Sequence, residues 1–374
     1  MDACSVVVSS ARGAQLGSYG QLMQAGIPVS KVSVSGSVRQ SWGSPSAASN
    51  QSIMDVNSLC RRNKKGKMYN ICNNKPTLRK QIEMGLMLGQ LECQHQFRYR
   101  KWNCTASRKG FKKVMLRDTR ETGFVNAILA AGIAYQVTRA CSTGELLGCW
   151  CNKKLKNVKI KKKVKNPQLP EGNFQWEGCK GENVEYGIKK SKDFLDFPVK
   201  NKQRGDMKTL VKLHNYIAGR LAIKSMMRTE CKCHGLSGSC NLKTCWQKMP
   251  PFREIGNKLK ERFDGAAKVI AGNDGKSFMP EGSTIKNPSK QDLVYSEETP
   301  DYCDSNTTIG SVGTRGRICN DTSMGEEGCG ILCCNRGYRW ENITKEESCN
   351  CEFIWCCEVK CGKCLNTNRV STCL

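Results

Sequence analysis

Histidine is almost missing from this chain. Its 374 residues include three, His95, His214 and His234, and only Cys361 and Cys364 stand in Cys-x-x-Cys spacing. Zinc sites want such pairs with partner pairs or histidines, so the 25 cysteines are not read as metal ligands. Acid is scarce as well: 33 Asp and Glu against 60 Lys and Arg give a formal charge of +27. A surface so charged draws polyanions of any kind, whether nucleic acid, anionic membrane or sulfated glycan. The first residues lack an apolar core of signal-peptide length, Val6 to Val8 being the longest strictly aliphatic run there. No apolar run reaches the length of a membrane span.

The cysteines themselves are the strongest positive signal. Apart from Cys4, 24 of them run from Cys60 to Cys373, an even set that implies about a dozen disulfides and an oxidising compartment. Adjacent pairs such as Cys333-Cys334 and Cys356-Cys357 are poor tetrahedral ligands. Asn-x-Ser/Thr sequons at Asn50, Asn103, Asn306, Asn320 and Asn342 agree with export. The chain is therefore expected to be secreted, into the extracellular space or matrix. An exported protein needs a targeting segment, so the start is expected to be incomplete or misassigned.

Residues 1–52 are rich in Ser, Gly and Ala and read as disordered. A helical pattern runs from Thr77 to Arg100. A second helix spans Arg120 to Ala140, where Phe124, Ile128, Ala131 and Tyr135 recur at three- and four-residue spacing. Its other faces carry Val125, Ile133 and Val137, which makes it a central, buried helix. Eight lysines between Lys153 and Lys165 read as a solvated loop suited to glycan binding. Further helices are expected at Gly181–Phe194, Asp206–Met227 and Pro251–Val269. Residues 271–290 read as a linker, and beyond it twelve cysteines fall between Cys303 and Cys373. The expected fold is α+β and disulfide-rich. A helical domain over 53–270 is followed by a cystine-stapled β-hairpin domain over 291–374, too cysteine-dense for a conventional core.

Two segments look built to be touched. Cys231 and Cys233 share one face of an extended strand, and Cys240 and Cys245 return within a dozen residues. The simplest pairing nests Cys233–Cys240 inside Cys231–Cys245. Ser237, between Gly235 and Gly238, is then presented on a short exposed tip. The pattern recurs with Cys349 and Cys351 against Cys361 and Cys364; nesting Cys351–Cys361 inside Cys349–Cys364 puts Ile354 to Cys357 at the apex. Trp355 there is an exposed aromatic anchor. A vicinal Cys356–Cys357 bond would be strained, since neighbouring Cα atoms lie about 3.8 Å apart, short of the usual range of about 4.4–6.8 Å.

A set of ordered motifs resembles the Wnt family of secreted, lipid-modified signalling proteins over about residues 53–374. They include Glu92-Cys-Gln-His-Gln-Phe97 leading to Trp102-Asn-Cys-Thr105, Val137-Thr-Arg-Ala-Cys-Ser142, Leu213-His-Asn215 and the serine loop. Pro300-Asp-Tyr-Cys303, Gly313-Thr-Arg-Gly-Arg317 and Phe353-Ile-Trp-Cys-Cys357 complete the order. The resemblance implies no cofactor beyond a covalent monounsaturated acyl chain on Ser237, added by a membrane-bound O-acyltransferase, and N-glycans. It implies that the acyl chain lies in a groove of the cysteine-rich domain of a Frizzled receptor. The finger at Trp355, Cys356, Cys357, Glu358 and Val359 would grip the other side. It also implies a lipoprotein-receptor-related coreceptor and a lipid carrier during secretion, and the basic charge adds heparan sulfate as an expected partner. Asn103, Asn320, Asn306 and Asn342 would carry glycans. The implied disulfides agree with both nested pairings, add the vicinal Cys356–Cys357 bond and take in Cys93 and Cys104.

The chain departs from that family in places. Glu358 stands where an aromatic or other uncharged residue is usual, and Ile354 where His is common, so receptor preference is expected to turn on the finger. Lys180-Gly181-Glu182 replaces a Ser-Asp-rich turn. Two other classes fit less well. A serine hydrolase would want Gly-x-Ser-x-Gly at a strand-to-helix turn, whereas Gly235-Leu-Ser237-Gly-Ser239 lacks the last glycine and sits in a stapled hairpin. No enzymatic activity is expected. A nucleic-acid binder would explain the charge but leave the cysteines and sequons without a role.

Overall fold

The computed structural model describes residues 56–62, 66–104, 111, 113–149, 174–176, 182–202, 206–240, 243–273, 277–282, 286–355 and 358–374. The expectations for residues 1–52, for Lys153–Lys165 and for the Cys356–Cys357 bond fall outside them. The helices are α1 (Val56–Arg62), α2 (Gly66–Asn74), α3 (Pro76–Gln96), α4 (Arg120–Ser142), α5 (Glu182–Lys202), α6 (Met207–Ser225), α7 (Phe252–Asp264) and the short α8 (Cys329–Leu332).

A helix apolar on every side has to be surrounded, and α4 is. Thr119 caps it, its Oγ1 accepting from the Thr122 amide, and Glu121 sits in the first turn where the helix dipole favours negative charge. From there to Ala140 nearly every residue is buried, with α3, α5, α6 and α7 packed around it. By length and composition α4 could cross a bilayer, yet 78% of its most apolar window is buried inside the protein. Glycine permits the close approach: a Cβ on Gly132 would lie 2.3 Å from the Gly85 carbonyl oxygen of α3, and one on Gly219 of α6 would lie 1.9 Å from that of Ala127. Edge-to-face rings of Phe97, Phe124 and Phe263 join α3, α4 and α7, with centroids 4.9–6.0 Å apart. Polar groups buried between the helices include two well-paired cases: Ser191 Oγ donates to the Ala130 carbonyl at 2.9 Å, and Arg220 forks onto both oxygens of Asp196 at 2.9 and 3.1 Å.

The strands follow in small sheets. β2 (Arg228–Cys233) and β3 (Lys243–Lys248) form an antiparallel hairpin, and β1 (Phe174–Trp176) lies parallel to β3 on its other edge. β4 (Ala267–Ala271) pairs antiparallel with β5 (Phe278–Pro280) and parallel with β6 (Val294–Tyr295). The Asn215 side chain extends this sheet from α6, donating to the Val294 carbonyl at 2.8 Å and accepting from its amide at 3.0 Å. The segment 271–290, expected as a linker, holds a strand of its own. β5 lies inside that segment and folds back onto β4, with further bonds from the Gly272 amide to the Ser277 carbonyl and from the Glu281 amide to the Lys268 carbonyl. One compact unit runs through Arg339 and takes in Thr372–Leu374, and the other contains Trp340–Ser371.

In the larger unit, β7 (Ser305–Asn306) pairs with β8 (Ser311–Val312), and β9 (Ile318–Cys319) precedes α8. Cys319–Cys329, Cys333–Cys373 and Cys303–Cys334 staple this region around Leu332, the sulfurs themselves supplying most of a miniature core. Arg317 fastens it to the end of α3 by donating to the carbonyls of Arg98, Arg100 and Lys101 at 2.8–3.0 Å. Burial there pulls its guanidinium down to about 10. The second unit is one long ribbon of β10 (Tyr338–Ile354) and β11 (Glu358–Cys373), whose side chains are nearly all exposed. Disulfides substitute for a core: the twenty described cysteines are all bonded, in ten pairs.

Candidate functional site

The serine loop is held at its base by register. Cys231 stands directly opposite Cys245 across β2 and β3, and the two are bonded with Cα atoms 4.0 Å apart. Beyond them Cys233 bonds Cys240, the inner of the two nested pairs. Cross-strand contacts stiffen the stem: Lys248 pairs with Glu230 at 3.0 Å and Gln247 donates to Thr229 at 2.9 Å. Arg228 pairs with Glu254, which ties β2 to α7.

At the tip, Leu236–Gly238 make a single tight helical turn. The Gly235 amide donates to the Ser239 carbonyl at 2.8 Å, and the Gly238 amide to the Gly235 carbonyl at 3.0 Å. Ser237 is driven into the left-handed region at φ 54°, ψ 27°, followed by Gly238 at φ 77°. A non-glycine residue there costs on the order of 1 kcal/mol, which the surrounding bonds must hold. The result is an exposed serine whose hydroxyl has no hydrogen bond among the described residues, while Ser239 is half-buried beneath it. The His234 ring, its sequence neighbour, lies 3.0 Å from Thr244 Oγ1 across the hairpin. Among the described residues no base is hydrogen-bonded to the Ser237 hydroxyl. The turn can present that oxygen to an external catalyst.

The ribbon of the second unit repeats the nested staples, Cys351–Cys361 inside Cys349–Cys364. Its apex exposes Trp355 (82%) and Val359 (60%), with Glu358, Phe353 and Ile354 exposed beside them. Cys356 and Cys357 lie outside the described residues. Farther down, Arg369 stacks on Trp340 at 4.6 Å.

The sequon asparagines Asn306, Asn320 and Asn342 are exposed and Asn103 is half-buried. Asn306 and Asn320 share a local geometry that sequence reading did not foresee. The Oδ1 of each accepts from both the amide and the hydroxyl of the threonine two residues on, at 2.6–3.0 Å. This Asx turn engages Oδ1, and neither side-chain amide nitrogen has a hydrogen bond among the described residues. Cys93 and Cys104 are bonded at the end of α3. The sulfurs of Cys319, Cys329 and Cys333 cluster at metal-ligand distances, as do Cys303 and Cys334 with Asp301. Every one of these sulfurs is in a disulfide, so neither group offers a thiolate.

Comparison with known proteins converges on one family. The Wnt family model matches residues 61–374. Human Wnt-6 is 46% identical over 334 residues, covering 86% of this chain and 91% of that protein. Wnt-2b-A of Xenopus laevis is 43% identical over 310 residues, covering 82% and 85%. Among solved structures, a chain of the complex of human WLS with WNT8A superposes with a TM-score of 0.62 at 33% identity, covering 86% of this chain and 99% of that one.

Proposed function

Because this chain belongs to the Wnt family of signalling ligands, we propose that it is a secreted ligand acylated on Ser237, whose lipid occupies the cysteine-rich domain of a Frizzled receptor. The supporting observation is the exposed Ser237, its hydroxyl without a hydrogen bond among the described residues, on a left-handed turn braced by two disulfides. A rigid tip costs little further ordering when an acyltransferase or a receptor takes hold of it. The lipid is the larger contributor to binding: at about 0.8 kcal/mol per buried CH₂, a long acyl chain supplies on the order of 10 kcal/mol before ordering costs. The finger at Trp355–Val359 is the second contact, with Trp355 contributing about 2 kcal/mol.

The acyl chain calls for an apolar shelter between synthesis and receptor. The relative in the complex with WLS supports a carrier of that kind for this chain. Glycans on Asn306, Asn320, Asn342 and Asn103, a lipoprotein-receptor-related coreceptor and heparan sulfate belong to the same reading. The test is Ser237→Ala, expressed behind a working signal peptide with a labelled acyl donor. The expected result is loss of label and of binding to the isolated Frizzled domain, with Ser239→Ala retaining both. Labelled, receptor-active Ser237→Ala protein would overturn the mechanism.

A further inference from the structure

Away from the serine turn, the larger unit contains a cavity of about 290 Å³ where α1, the approach to α4, α5 and α6 meet. Met115, Leu195 and Val199 give it apolar wall, and Asp118, Lys208 and Lys212 bring charge to it. Its size is at the lower end for small-molecule sites, which run from about 300 Å³ upward.

Asp118 is the odd member. It is 6% exposed, and among the described residues its Oδ2, sealed from solvent, has no partner and no hydrogen bond ends on its carboxylate. Its backbone carbonyl, by contrast, accepts from the amides of Ser296 and Glu297 and so fixes the residue in place. The neighbouring charges are already engaged. Lys208 pairs with Glu297 at 2.8 Å, and Arg117 reaches the same carboxylate at 3.2 Å. The Lys212 ammonium lies over the Tyr216 ring at 6.0 Å. Asp206 adds a further negative charge nearby. Burial pushes the Asp118 carboxyl up to about 6, so at neutral pH it is held ionised with no donor of its own.

An occupant that suits this wall brings N–H donors and positive charge to Asp118 and an apolar body to the rest. A metal ion would find one carboxylate beside lysines, far short of its usual six or so oxygen ligands. An anion would be drawn by the lysines but would meet Asp118. We propose that the cavity binds a small amphiphilic amine, its ammonium set against the Asp118 carboxylate in the wall and its apolar body lying on Met115, Leu195 and Val199.

The experiment is calorimetric titration of the full, disulfide-intact chain with 2-phenylethylammonium, alongside neutral 2-phenylethanol and anionic 3-phenylpropionate. The ammonium is expected to bind saturably at about pH 7.4, and roughly tenfold more weakly at about pH 5, where Asp118 is protonated. Asp118→Asn should weaken it by roughly tenfold or more while the protein melts no lower, since an amide carries no charge to desolvate. Val199→Trp should block it by filling the cavity, with folding checked by circular dichroism. Absence of saturation, unchanged affinity in Asp118→Asn, or tighter binding of 3-phenylpropionate than of the ammonium would each overturn the proposal. If Val199→Trp does not fold, Asp118→Asn and the pH comparison decide the matter.

Discussion

The amide of Gly235 is bonded to the carbonyl of Ser239 at 2.8 Å, so the two residues on either side of the serine turn are clasped together. A Cβ on Gly235 would lie 2.0 Å from Ser239 Oγ and 2.5 Å from its carbonyl oxygen. Gly235→Ala should therefore open the clasp without touching Ser237. The expected outcome is amide exchange at residues 235 and 238, the two donors of the turn, faster by roughly tenfold or more, together with reduced acyl labelling. Ser239→Ala, which keeps the backbone bond, should change neither.

The Asn215 side chain takes the place of a strand along Val294. Asn215→Leu keeps the volume but strands one buried amide and one buried carbonyl. At about 1–3 kcal/mol for each buried group left unpaired, the loss should be roughly 2–5 kcal/mol. Denaturant unfolding of the disulfide-intact protein reads it directly, and a loss under about 1 kcal/mol would show that water replaces the side chain.

Arg220 and Asp196 form a forked pair with both side chains nearly sealed, 4% and 6% exposed. Removing one member leaves a buried charge behind, at about 3–5 kcal/mol. Asp196→Ala and Arg220→Met should each cost that much. The double variant should cost clearly less than the sum, because it leaves no orphan. Additive losses in the double-mutant cycle would contradict a coupled pair.

Asp118 gives the larger unit a pH dependence of uncommon sign. Its carboxyl sits at about 6 in the folded protein against an ordinary 3.8. The folded state therefore holds this proton more tightly than the unfolded state does. The ionised group costs stability in full above about pH 6, and the cost disappears as pH falls through 6 towards 4. At about 1.4 kcal/mol per tenfold, the difference is on the order of 3 kcal/mol. Asp118→Asn should raise the melting temperature at pH 7.4 and flatten the pH profile in that window. A variant that melts lower at pH 7.4 would assign Asp118 a stabilising role.

Much of the serine hairpin was legible from cysteine spacing because alternation in a strand fixes which cysteines can face each other. Cys231 and Cys233 had to point one way, and the returning cysteines had few choices. The buried α4 was legible for a similar reason, since Phe124, Val125, Ile128 and Ile133 leave it no polar face. Features made by distant partners were not. Nothing local to Phe278–Pro280 announces a strand, because its Gly- and Pro-bearing surroundings carry turn signals and its hydrogen bonds come from β4. The same holds for Asn215, whose role depends on Val294 standing 79 residues away. The left-handed Ser237 was equally hidden: Gly238 advertised a positive φ, but only the closed turn forces one on the residue before it.

Arg317 reaches back 217 residues to the Arg100 carbonyl and 219 to that of Arg98. A growing chain emerges from its N-terminus, at roughly 5–20 residues per second. The carbonyls at the end of α3 are thus made early and wait, through some tens of seconds of synthesis, for the donor that seals them. Cys93–Cys104 can close beside them meanwhile, since both its residues emerge together. The turn that follows α3 is consequently completed by a donor made more than two hundred residues after it, and stands unlatched until Arg317 arrives.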